Sequence, residues 1–336
     1  LKSIADVLGE VDVRPIREAA EEPFLISFIS RDAPLARHVA SLLYRGPRPQ
    51  DIPSARAVEV LTLEAALKAV PAGPASGRLA VIITREDRDN AVEAQLVRRL
   101  ERANTPALVC FVGAPGALPL LRQHWLPAAT ACLDTVGDAG HTLDDDRAAQ
   151  QLTAAIRAAN VVNALALARR LPAFRERVSR NLIEETAIAN AVYSASTGVA
   201  EIIPIATVPL NVADLVVLTK NQAVMAYKIA LAMGMTANFR QIMPQLAAVV
   251  GGGFVFRQIA RTLVGLVPGW GILPRTAIAF AGTFAMGEAI YRWCATGERL
   301  TEDSLRQAYY SALARGRRMA QALLKSRPKR KRRATA

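Results

Sequence analysis

The chain has 336 residues, a formal net charge of +13, and a composition that is 51% hydrophobic but only 5% aromatic. Such a length accommodates two domains, and apolar content drawn from Ala, Val, Leu and Ile speaks against an all-β sandwich and for helices and simple α/β layers. The cysteines Cys110, Cys132 and Cys294 lie far apart with no CxxC spacing, which excludes a disulfide framework or cysteine zinc site and fits a reducing compartment.

Residues 1–22 form a charged, weakly helical segment. They lack the charged-then-apolar order of a signal peptide, and a chain that opens on Leu1 is expected to continue upstream. From residue 23 to 143, short apolar runs alternate with amphipathic stretches. The runs predict strands at Phe24–Ser30, Ala57–Leu63, Leu79–Thr84, Ala107–Gly113 and Ala129–Asp134. The stretches predict helices near Leu35–Tyr44, Asn90–Ala103 and Leu118–His124. Continuous apolar strands separated by helices mean a mostly parallel sheet covered on both faces, and right-handed crossovers make it doubly wound.

Ligands of such sheets bind where the strands end. A P-loop reads GxxxxGK[ST] after the first strand, because glycine amides wrap the phosphates and a lysine reaches them. Here the loop reads Ser30-Arg31-Asp32-Ala33-Pro34-Leu35-Ala36-Arg37-His38. It has no glycine, Pro34 has no N–H to offer, and Asp32 repels a phosphate. Arg31 and Arg37 remain the candidates for weak anion or nucleotide contact. The fourth strand runs into Gly113-Ala114-Pro115-Gly116, with no carboxylate to read a guanine.

No catalytic constellation and no metal site can be picked from the sequence. His38, His124 and His141 show no HxxxH or HExxH spacing. The run Asp144-Asp145-Asp146 opens a helical stretch, where carboxylates cap and favour the helix dipole. Glu86, Asp87 and Asp89 read as a solvated loop or helix start. No cofactor is expected.

Residues 144–324 are helical in pattern. An Ala-rich helix is predicted over Ala148–Leu171, a second through Phe174–Glu185, and an amphipathic one over Thr301–Lys325. Between them lie two apolar helical hairpins. The first turns between Pro204 and Pro209, the second between Pro268 and Pro274, and their second arms end in Tyr227-Lys228 and Tyr291-Arg292. Residues 325–336 form a disordered basic tail: Lys325 to Arg333 carries seven positive charges and no negative one, a composition that seeks polyanions.

A membrane span needs roughly 17–25 apolar residues. The arms reach that length only by accepting Glu201, Asp214, Arg257, Arg261, Arg275 or Glu288, each at about 2.5–3.5 kcal/mol near mid-bilayer. Their density of Gly, Ala, Ser and Thr still suits close helix packing in lipid. Glu201, Asp214 and Arg257 are the buried-charge candidates, which a transporter or channel would use as its pathway. Trp270, Tyr291 and Trp293 carry rings suited to a membrane interface, and Lys329, Arg330, Lys331, Arg332 and Arg333 suit anionic headgroups.

The segment from Ala187 to Trp293, with IIPIATVPLNVADLVVLTKNQAVMAYKIALAMGM and GLVPGWGILPRTAIAFAGTFAMGEAIYRW, resembles the uncharacterised helical domain of the bacterial YcjF type, which is often joined to Era-like small GTPases. The resemblance implies a membrane-associated role at the cytoplasmic face of the inner membrane, with no established reaction. It also implies that the preceding α/β half is a degenerate, P-loop GTPase-like domain whose GTPase residues do not carry over.

The expectation is therefore an α/β domain followed by an all-α one, acting as a non-catalytic, membrane-associated scaffold. Its partners would be anionic lipid headgroups and a GTPase or other protein, with homo-oligomerisation open. Nucleic acid is not an expected partner. Two alternatives stand beside it: a nonstandard GTP-binding protein at the membrane, and a soluble helical interaction protein whose basic tail binds nucleic acid.

Overall fold

The computed structural model describes residues 11–47, 57–69, 77–85, 90–113, 129–136, 142–197, 212–250 and 272–325. Two compact units divide them: residues 14–178 with 231–235, and residues 11–13 and 179–230 with 236–325.

The first unit is the α/β layer. In chain order it contains α1 (Arg14–Glu21), β1 (Leu25–Ser30), α2 (Ala33–Leu42), β2 (Val58–Thr62), α3 (Leu63–Lys68), β3 (Arg78–Arg85), α4 (Ala91–Arg102), β4 (Ala107–Gly113), β5 (Ala129–Val136) and β6 (Thr142–Leu143). Then come α5 (Asp145–Ala158), α6 (Ala164–Arg170) and a 3-10 turn at Pro172–Phe174. The strands form one sheet in the order β2-β1-β3-β4-β5-β6. The first five are parallel, and the two-residue β6 closes the edge antiparallel to β5. The predicted strands thus stand within two residues of their observed ends, with β6 too short for a sequence pattern to mark. The predicted helix at Leu118–His124 lies outside the described residues.

The chain leaves β1 towards β2 on one side and then steps across β1 to β3, β4 and β5. Right-handed crossovers in opposite directions put helices on opposite faces. Accordingly α2 and α5 pack together on one face and α3 and α4 on the other. On the latter, Ile29, Ile82, Val109 and Phe111 of the strands meet Leu63 and Ala66 of α3 and Leu96, Val97 and Leu100 of α4. The alternate strand residues Ile26, Phe28, Val81, Ile83, Leu108 and Cys110 are buried on the other face. Burying one such side chain stabilises by about 1.5–3 kcal/mol, which makes the sheet the rigid frame of the unit.

The Ala-rich run read as one helix is two. Asn160 adopts a left-handed backbone (φ 51°) just past the end of α5, a conformation that stops a helix and that Asn tolerates. Asn163 then caps α6, accepting from the Leu165 N–H at 2.9 Å. Arg175, fully buried, fastens the next turn. It donates to the carbonyls of Ala168 (3.1 Å), Arg169 (3.2 Å) and Pro47 (2.6 Å). A cation on the last carbonyls of a helix is favoured by the dipole.

The second unit is helical. Its elements are α7 (Arg175–Thr197), α8 (Val212–Ala232), α9 (Phe239–Val250), α10 (Ile272–Thr296) and α11 (Glu302–Lys325). The helical unit begins within α7, at Ser179, and its part of α8 ends at Ala230. The second arms of both predicted hairpins are α8 and α10. Their turns and first arms lie outside the described residues.

α10 decides how the apolar arms are read. From Thr276 to Ile290 every residue is buried except Ala279, Phe284 and Glu288, which are half-buried. A helix apolar all round must be enclosed on all sides, and here protein does the enclosing. Phe280, Ala281 and Ala285 pack with Ala187 and Ala191 of α7 and with Tyr309 and Ala312 of α11. Small residues let the axes approach closely: a Cβ on Gly316 of α11 would meet the Ala277 carbonyl oxygen at 2.9 Å. The expectation of a transmembrane helix is corrected accordingly: among the described residues no helix is long and apolar enough to cross a membrane.

Candidate functional site

A doubly wound sheet of order 2-1-3-4-5 has its ligand crevice where the carboxyl ends of β1 and β3 diverge. That crevice is built from Ser30, Arg31 and Asp32 after β1, from Ile83, Thr84 and Arg85 at the end of β3, and from Glu93 of α4.

Asp32 is the N-cap of α2: its Oδ1 accepts the Leu35 N–H at 3.0 Å. The lack of an N–H on Pro34 is harmless there, because the first-turn amides have no intrahelical partner. Ser30 donates from Oγ to the Ile83 carbonyl at 2.9 Å, tying β1 to β3, and accepts the Asp32 N–H at 3.2 Å. Thr84 donates its hydroxyl to Asn90, whose Nδ2 donates to the Arg85 carbonyl at 3.2 Å.

Arg31 bridges the crevice. Its guanidinium meets both carboxylate oxygens of Glu93, at 2.7 and 2.8 Å. Glu93 is 3% exposed while the Arg31 side chain is 42% exposed. This is the forked geometry in which an Arg–carboxylate pair is strongest. The remaining space is about 10 Å³, room for about one water. The crevice is therefore filled by its own side chains. Arg31, read as a weak anion contact, has its charge balanced by a buried carboxylate. Arg37, read with it, is exposed on α2, outside the crevice lining.

At the neighbouring helix pair, Asp144 caps α5 by accepting the Arg147 N–H at 3.1 Å. Asp145 accepts from His38 at 2.8 Å and pairs with Arg45, which also reaches Asp146 at 3.4 Å. Burial raises the Asp145 carboxyl, but the His38 hydrogen bond and the charges of His38 and Arg45 outweigh it and hold the group below the usual carboxylate range. These contacts join α2 to α5 and account for the acidic run as caps and ion pairs. Among the described residues no cluster of His, Cys, Asp and Glu could hold a metal. Burial, with the Cys132 charge adding to it, pushes the Cys110 thiol up to about 12. Burial alone pushes Cys294 to about 12, so neither offers a thiolate nucleophile. Glu86, Asp87 and Asp89 lie outside the described residues.

In the helical unit, Tyr291 is half-buried with the Arg180 guanidinium over its ring at 5.5 Å. Arg180 also pairs with Glu288 at 3.4 Å. Trp293 is half-buried two residues further along α10. Asp214 falls on α8. Trp270, Glu201, Arg257, Lys329, Arg330, Lys331, Arg332 and Arg333 lie outside the described residues.

The sequence reading missed a polar cluster inside this unit. Asn190 of α7 donates to Thr283 of α10 at 3.0 Å. Asn221 of α8 donates to the Asn190 carbonyl oxygen at 2.7 Å, and Gln222 donates to Thr283 at 3.1 Å. Asn190 and Thr283 are buried. Helices α7, α8 and α10 are thus tied by side-chain amides, which fix their register because an alternative register strands a buried polar group. The one sequence signal was Asn221-Gln222 inside an apolar run.

No family model, curated protein or solved structure matches the chain.

Proposed function

We propose that the chain is a non-catalytic adaptor working at an anionic membrane surface. In this reading the α/β unit keeps the frame of a degenerate, GTPase-like domain without its phosphate chemistry, and offers a docking face to a protein partner such as a GTPase. The observation that carries it is the Arg31–Glu93 pair, which fills the crevice where a doubly wound sheet would take its ligand. A phosphate there would meet a buried carboxylate and no glycine amides.

Attachment to the membrane is peripheral in this reading, since α10 is enclosed by protein. The basic tail supplies it. Each Lys or Arg near anionic lipid adds about 1 kcal/mol, screened by salt. In this reading, supported by the sequence resemblance to the YcjF-type domain, the surface is the cytoplasmic face of the bacterial inner membrane.

Flotation with vesicles tests the reading. The full chain is expected to float with vesicles containing phosphatidylglycerol at low salt, to be released at high salt, and to lose binding when residues 325–336 are removed. A fluorescent GTP analogue is expected to show no saturable binding. Flotation that resists salt and deletion would refute the peripheral reading. GTP binding abolished by Arg31→Ala with Arg37→Ala would refute the adaptor reading in favour of a nonstandard GTP-binding protein.

A further inference from the structure

A second recess lies on the opposite part of the α/β unit, away from the crevice. It is a cleft of about 270 Å³ over β2, β1 and β3, between α3 and α4. Its origin is local: α3 has six residues and turns only small side chains, Ala66 and the following Ala69, towards the cleft. Ile29, Leu61, Leu96 and Leu100 make apolar walls. The space corresponds to about nine water volumes, or a ligand on the order of ten non-hydrogen atoms.

Two opposite charges stand on this one sheet face. Ser27 lies opposite Glu59 in the β1–β2 register, and Leu25 lies opposite Arg78 in the β1–β3 register. Leu25 and Ser27 share a face because they are two residues apart. Glu59 and Arg78 therefore flank β1 from either side, with Cα atoms about 12 Å apart by strand spacing. Both residues line the cleft. The Glu59 carboxylate is half-buried and accepts from Ser27 Oγ at 2.7 Å. Among the described residues neither Glu59 nor Arg78 has an ion-pair partner. Thr105 also lines the cleft; it is 7% exposed, and its hydroxyl has no hydrogen-bond partner among the described residues. A buried hydroxyl without a partner is uncommon and calls for a ligand or water.

We propose that this cleft binds a small zwitterion with an apolar side chain, the chemistry of a free aliphatic or aromatic amino acid. The ammonium meets Glu59, the carboxylate meets Arg78, and the side chain lies among Ile29, Leu61, Leu96 and Leu100. The half-buried Glu59 discriminates at the ammonium end, because a ligand without that group leaves the carboxylate desolvated and unpaired, while the exposed Arg78 draws the ligand carboxylate at the solvent end of the cleft with a weaker, screened attraction. The site is independent of the adaptor reading and of the membrane.

Ligand-observed NMR on the full chain tests it, with leucine and phenylalanine as probes. Isoamylamine, which lacks the carboxylate, and isocaproate, which lacks the ammonium, are the single-charge controls. Leucine is expected to bind saturably, isocaproate about tenfold more weakly or worse because it strands the half-buried Glu59, and isoamylamine a few-fold more weakly because the exposed Arg78 stays hydrated without its partner. Glu59→Gln is expected to weaken leucine and isoamylamine but not isocaproate. Arg78→Gln is expected to weaken leucine and isocaproate but not isoamylamine. Far-UV dichroism confirms that both variants fold; one is isosteric and the other changes an exposed residue. Absence of saturable leucine binding overturns the proposal, as does equal binding of all three probes or leucine binding that survives both substitutions.

Discussion

Replacing Arg31 by Met removes one half of the pair that fills the crevice and leaves Glu93 with its charge. Glu93 is 3% exposed, and both its oxygens face the guanidinium within 2.8 Å. Breaking a fully buried pair costs about 3–5 kcal/mol, whereas an exposed pair is worth about 0–1 kcal/mol. Arg31 is 42% exposed on its side chain, so water screens one partner and not the other. The expected loss is about 2 kcal/mol, between those limits. In urea, with a slope of about 2 kcal/mol/M, this lowers the unfolding midpoint by about 1 M at unchanged slope. The double variant Arg31→Met with Glu93→Leu removes both charges and puts apolar volume beside Leu35 and Ile83, which line the same space. It is expected to recover to within about 1 kcal/mol of the parent, because an apolar replacement of a buried pair is close to neutral. Urea titrations of the three proteins by far-UV dichroism measure this. An unchanged midpoint for Arg31→Met, or a double variant weaker than the single one, would refute the crevice as a tightly paired site.

Other consequences concern the helical unit and the ion cluster on α2 and α5. A Cβ added at Gly287 would lie 2.6 Å from Ile183 Cγ1 and 3.0 Å from its Cγ2. Gly287→Ala is therefore expected to lower the melting temperature at about 1–3 kcal/mol of overpacking, less about 1 kcal/mol of gained helix propensity, with Ile183→Ala restoring part of it. Asn190→Leu removes the centre of the amide cluster and takes away the acceptor of Asn221, while Thr283 keeps its hydrogen bond from Gln222; a loss of about 1–2 kcal/mol is expected by thermal melting. The folded-state Asp145 carboxyl is lowered from its ordinary value of 3.8. Its contribution is thus present above that value and fades as pH falls through the folded one. Asp145→Asn is expected to destabilise at neutral pH and to flatten the acid limb below about pH 4, as read by unfolding midpoints between pH 7 and pH 3.

The strands were legible because β1, β3 and β4 are continuous runs of Leu, Ile, Val and Phe bounded by turn residues, and such runs need burial on both faces. The crevice was legible in part. The loop after β1 could be seen to lack phosphate-binding amides, and the Asp32 cap and Pro34 fit the helix start that it forms. That Arg31 would be held by Glu93 could not be seen, since 62 positions separate them and only the β1–β3 pairing brings them together. The break at Asn160 was missed because an Ala-rich periodic run outweighs one Asn in any window, while its left-handed backbone stops the helix. The cleft of Glu59 and Arg78 had no signal, being a product of strand register and of a helix too short to cover the sheet.

The order of amino acids alone dictates which segments are apolar and where the chain turns, because those follow from local composition and from residues such as Pro, Gly and Asn. It also determined that the loop after β1 has no phosphate cradle, since glycine amides are either present or not. What the apolar surface of α10 touches is set by the packing of the helices around it. Hydropathy measures the wish to leave water and does not distinguish a lipid chain from the side chains of α7 and α11. Likewise only the packed structure decided which charges meet, because ion pairs such as Arg31–Glu93 join positions that sequence distance keeps apart.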